Sequence, residues 1–337
     1  MTFNEIWDEF ISHKRKRVKP STISAYNCIW KASKDFFGEK SIESVTTKTA
    51  EKWAMDLLDT LSRKSIKDRL MLINNIIDYY AYEYEVKVSK INMKYIHWPT
   101  KNIFNGEVEK IKTFTMDDIK SMLAKIAEEP KPYNMLVAIM IGTGIRIGEA
   151  CALTYGSVNL ENNTIEITGT LERIMIDAKS RDEDFERMNV KVLRKSKKSA
   201  LIISTPKCLS SCRAIPVPME LIKILKKFKE IYPPNYYIGS NDFKPTEPRT
   251  LRNYYYKLLE SVGIDRHLSP HSLRHTYATT LITSGIDIKT TAALLGHGDT
   301  GTTLEIYSHA TVESKKKAIS NTVGKQFKMI LGGQKKK

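Results

Sequence analysis

The sequence predicts two domains: an all-α domain over residues 1–100 and, from about residue 113, a mainly α domain with a small antiparallel β-sheet. Three observations predict this. Ile66, Leu70, Ile73, Ile77, Tyr80 and Tyr84 are spaced 4, 3, 4, 3 and 4, which is one continuous helix face. Trp98-Pro99 is followed by a polar stretch without periodicity that contains Gly106, so residues 101–112 read as a linker. Thr164–Thr168, Ala200–Ser204 and Arg213–Val217 are short strand-like runs set among helical segments.

The elements follow in order. The first helix begins almost at Met1. A second spans about 21–37, with Tyr26, Ile29, Trp30 and Phe37 on its apolar side and Gly38 as a helix-ending glycine. A third covers 47–61. The second domain opens at Thr115-Met116-Asp117-Asp118, an N-cap with acids in the first turn, ahead of Ile119, Met122 and Leu123. Helices are expected over 116–127, 133–143, 146–153, 218–231, 248–262, 272–284, 287–295 and 302–308. The strand at 164–168 follows the turn Glu161-Asn162-Asn163, and the other two strands are expected to be joined by a short turn. The charged stretch 171–198 between the first strand and the second is an insertion to which the pattern assigns no structure.

Composition narrows the function. The chain has 337 residues, 54 Lys and Arg against 38 Asp and Glu, a net charge of +16 and a pI of about 9.4. A surplus of that size favours a polyanionic partner, nucleic acid first. It is spread along the chain: residues 1–100 alone carry 17 basic against 13 acidic side chains. Hydrophobic content of 41% and a mean hydropathy of −0.35 suit a globular protein with a core. Four cysteines are too few for a disulfide framework, and Cys208 and Cys212 have no second pair to make a metal site. Free thiols in a reducing cytoplasm are expected. The acidic N-terminus has no secretory apolar region, and Met135–Ile145 is too short to span a bilayer. Neither export nor a membrane is expected, and no metal or other cofactor.

The chemistry gathers in three blocks. Gly142-Thr143-Gly144-Ile145-Arg146 breaks a helix and sets Arg146 at a new helix start, where a guanidinium can grip phosphate. The alternative for Arg146 is an ion pair with Glu149, three residues on. His271 and Arg274, after Ser269-Pro270, share one helix face. Gly296 ends a helix and turns His297 outward, and Tyr307 stands ten residues later. Lys207 sits between two strands, with Lys195, Lys197, Lys198 and Arg213 nearby as competitors for its role. Singly, these are a surface histidine, a packing tyrosine or an ordinary exposed lysine. Together, two arginines, two histidines and a tyrosine suit attack of a tyrosine hydroxyl on a phosphodiester whose oxygens are held by fixed cations.

In order and spacing, Gly142–Ala150, Leu268–Thr276 and Leu295–His309 resemble the tyrosine recombinase (lambda-type integrase) family of phages and conjugative transposons. The resemblance covers nearly the whole chain, is loose in the N-terminal domain and is absent from 171–198. It implies a helical core-binding domain at 1–100 that contacts DNA, a tyrosine recombinase catalytic domain at 113–320, and a C-terminal helix or tail at 321–337 that docks on a neighbouring protomer. It implies that Tyr307 is the nucleophile forming a 3′-phosphotyrosine, that Arg146 and Arg274 clamp the non-bridging oxygens, and that Lys207 protonates the leaving 5′-oxygen. His271 would serve as base or hydrogen-bond partner to the tyrosine, and His297 would donate to the phosphate. Four protomers, monomeric in solution, would exchange strands through a Holliday junction on double-stranded core sites with inverted repeats, with an excisionase or host DNA-bending protein as accessory. A separate arm-site-binding domain is not expected.

Integration and excision of a mobile element is the leading function. An Xer-type dimer resolvase or an inert DNA-binding regulator on the same scaffold are the alternatives. A type IB topoisomerase shares the chemistry. The basic clusters Lys14, Arg15, Lys16, Arg17 and Arg63, Lys64, Lys67 are read as phosphate contacts, against the alternative of a solvated face.

Overall fold

The computed structural model describes residues 1–99, 113–129, 131–177, 180, 182–187, 190–204 and 212–296. They divide into two compact units. One joins the N-terminal segment to Ile174–Ile202; the other holds the rest.

Among the described residues, the N-terminal segment of the first unit holds five α-helices: α1 (Phe3–Arg15), α2 (Pro20–Lys31), α3 (Lys34–Phe37), α4 (Thr47–Asp56) and α5 (Arg63–Glu83). Thr2 caps α1 through a reciprocal box with Glu5, and Ser62 caps α5. The α5 stripe buries Ile66, Leu70, Ile73, Ile77 and Tyr80, each contributing about 1.5–3 kcal/mol through removal from water. The stripe stops one step early, because Tyr84 is the C-cap and 38% exposed. The expected helix 21–37 is two helices, broken at Ala32-Ser33. Ser33 is buried and gives its hydroxyl to the Ile29 carbonyl at 2.9 Å, a side-chain bond that competes with continuation of the helix. Gly38 is not left-handed (φ −52°). It is needed for space: a Cβ there would lie 2.7 Å from Asn4 Nδ2.

The insertion is ordered into β3 (Thr170–Met175), α9 (Asp182–Arg187), β4 (Val190–Lys195) and β5 (Ser199–Ser204), with strand order β3-β5-β4. Ile174, Phe185, Val190, Ala200 and Ile202 form its small core. Sequence places this stretch inside the second domain, yet Ile174–Ile202 packs with the first unit. Ser24 Oγ accepts the Met175 amide at 3.0 Å, and Asn27 Nδ2 donates to Asp177 at 3.1 Å.

The second unit begins with α6 (Met116–Glu128), α7 (Pro132–Thr143) and α8 (Ile147–Ala152), followed by β1 (Val158–Asn159) and β2 (Thr164–Ile167). After the insertion come β6 (Arg213–Pro216), α10 (Met219–Ile231), α11 (Pro248–Ser261), α12 (Pro270–Thr283) and α13 (Ile288–Leu295). The apolar run that sequence marks is α7. It is apolar on all sides because it is central, packed against α6, α8, α10, α11 and α12. Among the described residues no helix is long and apolar enough to cross a membrane. The expected hairpin of the second and third strands does not form. β6 pairs antiparallel with β2, Ile215 opposite Ile165, in a sheet of order β1-β2-β6, while β5 belongs to the insertion sheet.

Candidate active site

Two helix ends and two helix starts make the site in the second unit. Gly144 (φ +64°) and Gly296 (φ +65°) end α7 and α13 in the left-handed conformation. Each aims carbonyls of its final turn at an arginine. Arg274 Nη1 donates to the Gly144 carbonyl at 3.0 Å, and Nη2 to the Leu295 carbonyl at 2.6 Å. Arg213 Nε donates to the Leu294 carbonyl at 2.8 Å. Gly142 lies within α7 and breaks nothing; the break is Gly144 alone.

Arg146 is the residue before α8, with extended backbone (ψ 150°). The ion pair with Glu149 is present. Glu149 accepts its amide at 2.9 Å and its Nη1 at 2.9 Å, while its side chain stays 39% exposed. Glu149 is only 3% exposed and is gripped by Arg213 as well. Burial works to raise the Glu149 carboxyl, but hydrogen bonds and charge from Arg213, then Arg146, hold it below the usual carboxylate range.

His271 and Arg274 lie in the first two turns of α12, after Ser269 and Pro270. Arg274 is 2% exposed, and its Nε is buried without a hydrogen-bond partner. Burial and the charge of Arg146, beyond what Glu149 offsets, push its guanidinium down to about 9, still protonated at neutral pH. Desolvation by surrounding protein, then the charges of His275, Arg274 and Arg146, push His271 down to about 4. His271 is therefore held in its neutral form at pH 7. His275, one turn on, meets it edge to face at 4.9 Å.

Arg146, His271 and Arg274 are thus brought into one electrostatic cluster. Lys207, His297 and Tyr307, the helix 302–308, the linker 101–112 and the tail 321–337 lie outside the described residues. Sequence marks Arg213 only as a cation near Lys207; its bonds to Glu149 and Leu294 arise because tertiary folding carries β6 to α13. His275 was within reach, at i+4 from His271. Among the described residues no group of three or more His, Cys, Asp or Glu is placed to hold a metal ion.

In the N-terminal clusters, Lys16, Arg17, Lys64 and Lys67 are exposed. Lys14 stands over the Phe10 ring, Arg63 and Lys67 over Trp98. Arg15 departs from the expected phosphate contact: its side chain is 9% exposed and bonded to Asp177 and Ser180. Its acidic partner comes from 162 positions along the chain, so no local pattern announces it.

Two expectations follow. His271 should titrate near pH 4 by NMR of its ring protons; a midpoint near the ordinary 6.5 rules the environment out. Because the unfolded chain takes up that proton near 6.5 and the folded one only near 4, stability falls as pH drops through this window. Gly144→Ala should cost about 3 kcal/mol in denaturant unfolding, from left-handed strain and overpacking. Its Cβ would lie 2.5 Å from Tyr277 Cδ1.

The pattern described as Phage integrase family matches residues 112–314, more than half of the chain. The chain belongs to the phage integrase family. A phage integrase N-terminal SAM-like domain matches residues 2–58. The integrase of Staphylococcus phage L54a is 23% identical over 92% of this chain and 89% of its own. A tyrosine recombinase of Agathobacter rectalis is 25% identical over 91% of this chain and 92% of its own. The fold is that of the Tn1549 transposon integrase, solved with transposon right-end DNA: the TM-score is 0.72 at 21% identity, over 96% of this chain and 100% of that one. This phage integrase family member is a tyrosine-type DNA recombinase that acts on DNA, as the motif resemblance implies.

Proposed function

We propose that the protein integrates and excises a mobile DNA element, with Tyr307 as nucleophile and the Arg146–Arg274–His271 cluster as its phosphate site. The observation that carries this reading is that Arg274, bonded to the carbonyls of Gly144 and Leu295 at two helix ends, shares one electrostatic cluster with Arg146 and His271.

The Tyr307 hydroxyl attacks the phosphorus and the P–O5′ bond breaks, leaving a 3′-phosphotyrosine. His271 takes the tyrosine proton and Lys207 Nζ gives one to the 5′-oxygen. Arg146 and Arg274 face the non-bridging oxygens, where charge develops, and His297 donates to the same phosphate. Among the described residues, Arg274 Nε–H has no hydrogen-bond partner. The phosphotyrosine conserves the bond energy, so attack by a 5′-hydroxyl rejoins the strand in the reverse sequence without ATP.

Four protomers on paired core sites would exchange the strands in two steps through a Holliday junction, in the cytoplasm, with the tail at 321–337 docking between neighbours. The exposed Lys16, Arg17, Lys64 and Lys67 suit backbone contacts from the domain at 1–100. The names of the L54a and Tn1549 relatives support the mobile-element role over chromosome-dimer resolution.

The test is covalent trapping on a nicked duplex carrying the element's end, in EDTA. A denaturant-resistant protein–DNA adduct supports the reading. Binding to that site without an adduct, with the accessory proteins supplied, returns the weight to an inert regulator.

A further inference from the structure

Arg213 stands in the site with no step assigned to it. Its side chain is 7% exposed, so it is not a surface cation waiting for a backbone. It donates Nη1 to Glu149 Oε1 at 3.3 Å and Nη2 to Oε2 at 3.1 Å. The same two oxygens take Arg146: Oε1 accepts its Nη1 at 2.9 Å, Oε2 its amide at 2.9 Å. One buried carboxylate is therefore shared between two arginines, one sealed in and one 39% exposed.

The seat of Arg213 is built for it. Nε is fixed by the Leu294 carbonyl, one residue before the carbonyl that holds Arg274. A Cβ at position 296 would lie 2.6 Å from Arg213 Nη1, so the left-handed glycine makes room for the guanidinium as well as turning the chain.

We propose that Arg213 is a positioning residue that neutralises Glu149 from within and so leaves the Arg146 charge directed outward, toward a phosphate. A buried carboxylate with one cationic neighbour draws that cation in, because an unpaired buried charge is costly. With Arg213 present, the Glu149–Arg213 pair is neutral as a unit, and Arg146 needs to give it only one side-chain bond. Without Arg213, Glu149 would claim Arg146 fully, and the site would lose positive field where charge develops. The inference rests on the role given to Arg146 above.

Arg213→Met, checked for folding by thermal melting, should form the covalent adduct at least about tenfold more slowly than wild type when both are saturated with the core site. Adding Glu149→Gln should restore a large part of the rate, since removing the carboxylate's charge removes its pull on Arg146. A role as mere tie between β6 and α13 predicts no such recovery, because the Leu294 carbonyl still lacks its donor. Should Arg213→Met not fold, Arg213→Gln keeps a donor without the charge: slowing relieved by Glu149→Gln is expected. A folded variant at wild-type rate, or slowing that Glu149→Gln does not relieve, overturns the proposal. Arg146→Ala is assayed alongside. If it cleaves normally, the phosphate-site reading falls with it; if it is inactive while Arg213→Met is unaffected, only the Arg213 role falls.

Discussion

Arg274→Lys should slow formation of the covalent protein–DNA adduct by about a hundredfold or more, the usual scale for loss of a preorganised donor at a developing oxyanion. The substitution keeps the positive charge, so a role in bulk electrostatics would survive it. The geometry does not survive. Arg274 spends one hydrogen on the Gly144 carbonyl and one on the Leu295 carbonyl, from two nitrogens fixed in one plane. Its guanidinium is thereby held in one orientation before any phosphate arrives. A lysine ammonium has a single centre and cannot satisfy two carbonyls from different helices while also facing a phosphate. At a position 2% exposed, the carbonyl left unbonded adds about 1–3 kcal/mol of instability. Single-turnover trapping, corrected for the folded fraction, measures the effect; a rate near wild type would show that Arg274 is structural only.

Tyr307→Phe should abolish the adduct altogether while leaving core-site binding intact. The change removes one oxygen and nothing else, and the phenyl ring keeps the packing volume. The substitution leaves Arg146 and Arg274 unchanged, so their attraction for the phosphate persists. What is lost is the only group to which the reading assigns bond formation with phosphorus. A mobility shift that survives, with no denaturant-resistant band, is the expected pair of results. Any adduct formed by the variant would show that another residue attacks, and the assignment of Tyr307 would be wrong.

Much of this site is legible in sequence because its signals are local. A glycine that ends a helix, an arginine at the next helix start and a His–Arg pair one turn apart are each set by backbone rules that operate over a few residues. Gly144, Gly296, Arg146, His271 and Arg274 fall in that group. Long-range contacts are not legible in the same way. Arg15 looks like part of a basic patch, and only the arrival of Asp177 makes it an internal ion pair. Arg213 looks like one of several cations near Lys207 until folding sets it against Glu149 and Leu294. The strands show the same division: Ala200–Ser204 and Arg213–Pro216 are recognisable as strands, but which sheet each joins depends on neighbours far along the chain. The break at Ser33 has a local cause, but one visible only once the hydroxyl is buried.

The insertion also bears on how such a protein can be recombined in evolution or in the laboratory. Arg15, Ser24 and Asn27 belong to the N-terminal segment, while Asp177 and Met175, to which they are bonded, come from a stretch interrupting the later one. A chimera joined at a single point in 101–112 would inherit one half of this interface and orphan the other. Transplanting the N-terminal region with these bonds intact therefore requires more than one crossover, so that the interrupting segment travels with its helical neighbours. The compact unit to which these side chains belong is thus discontinuous in sequence.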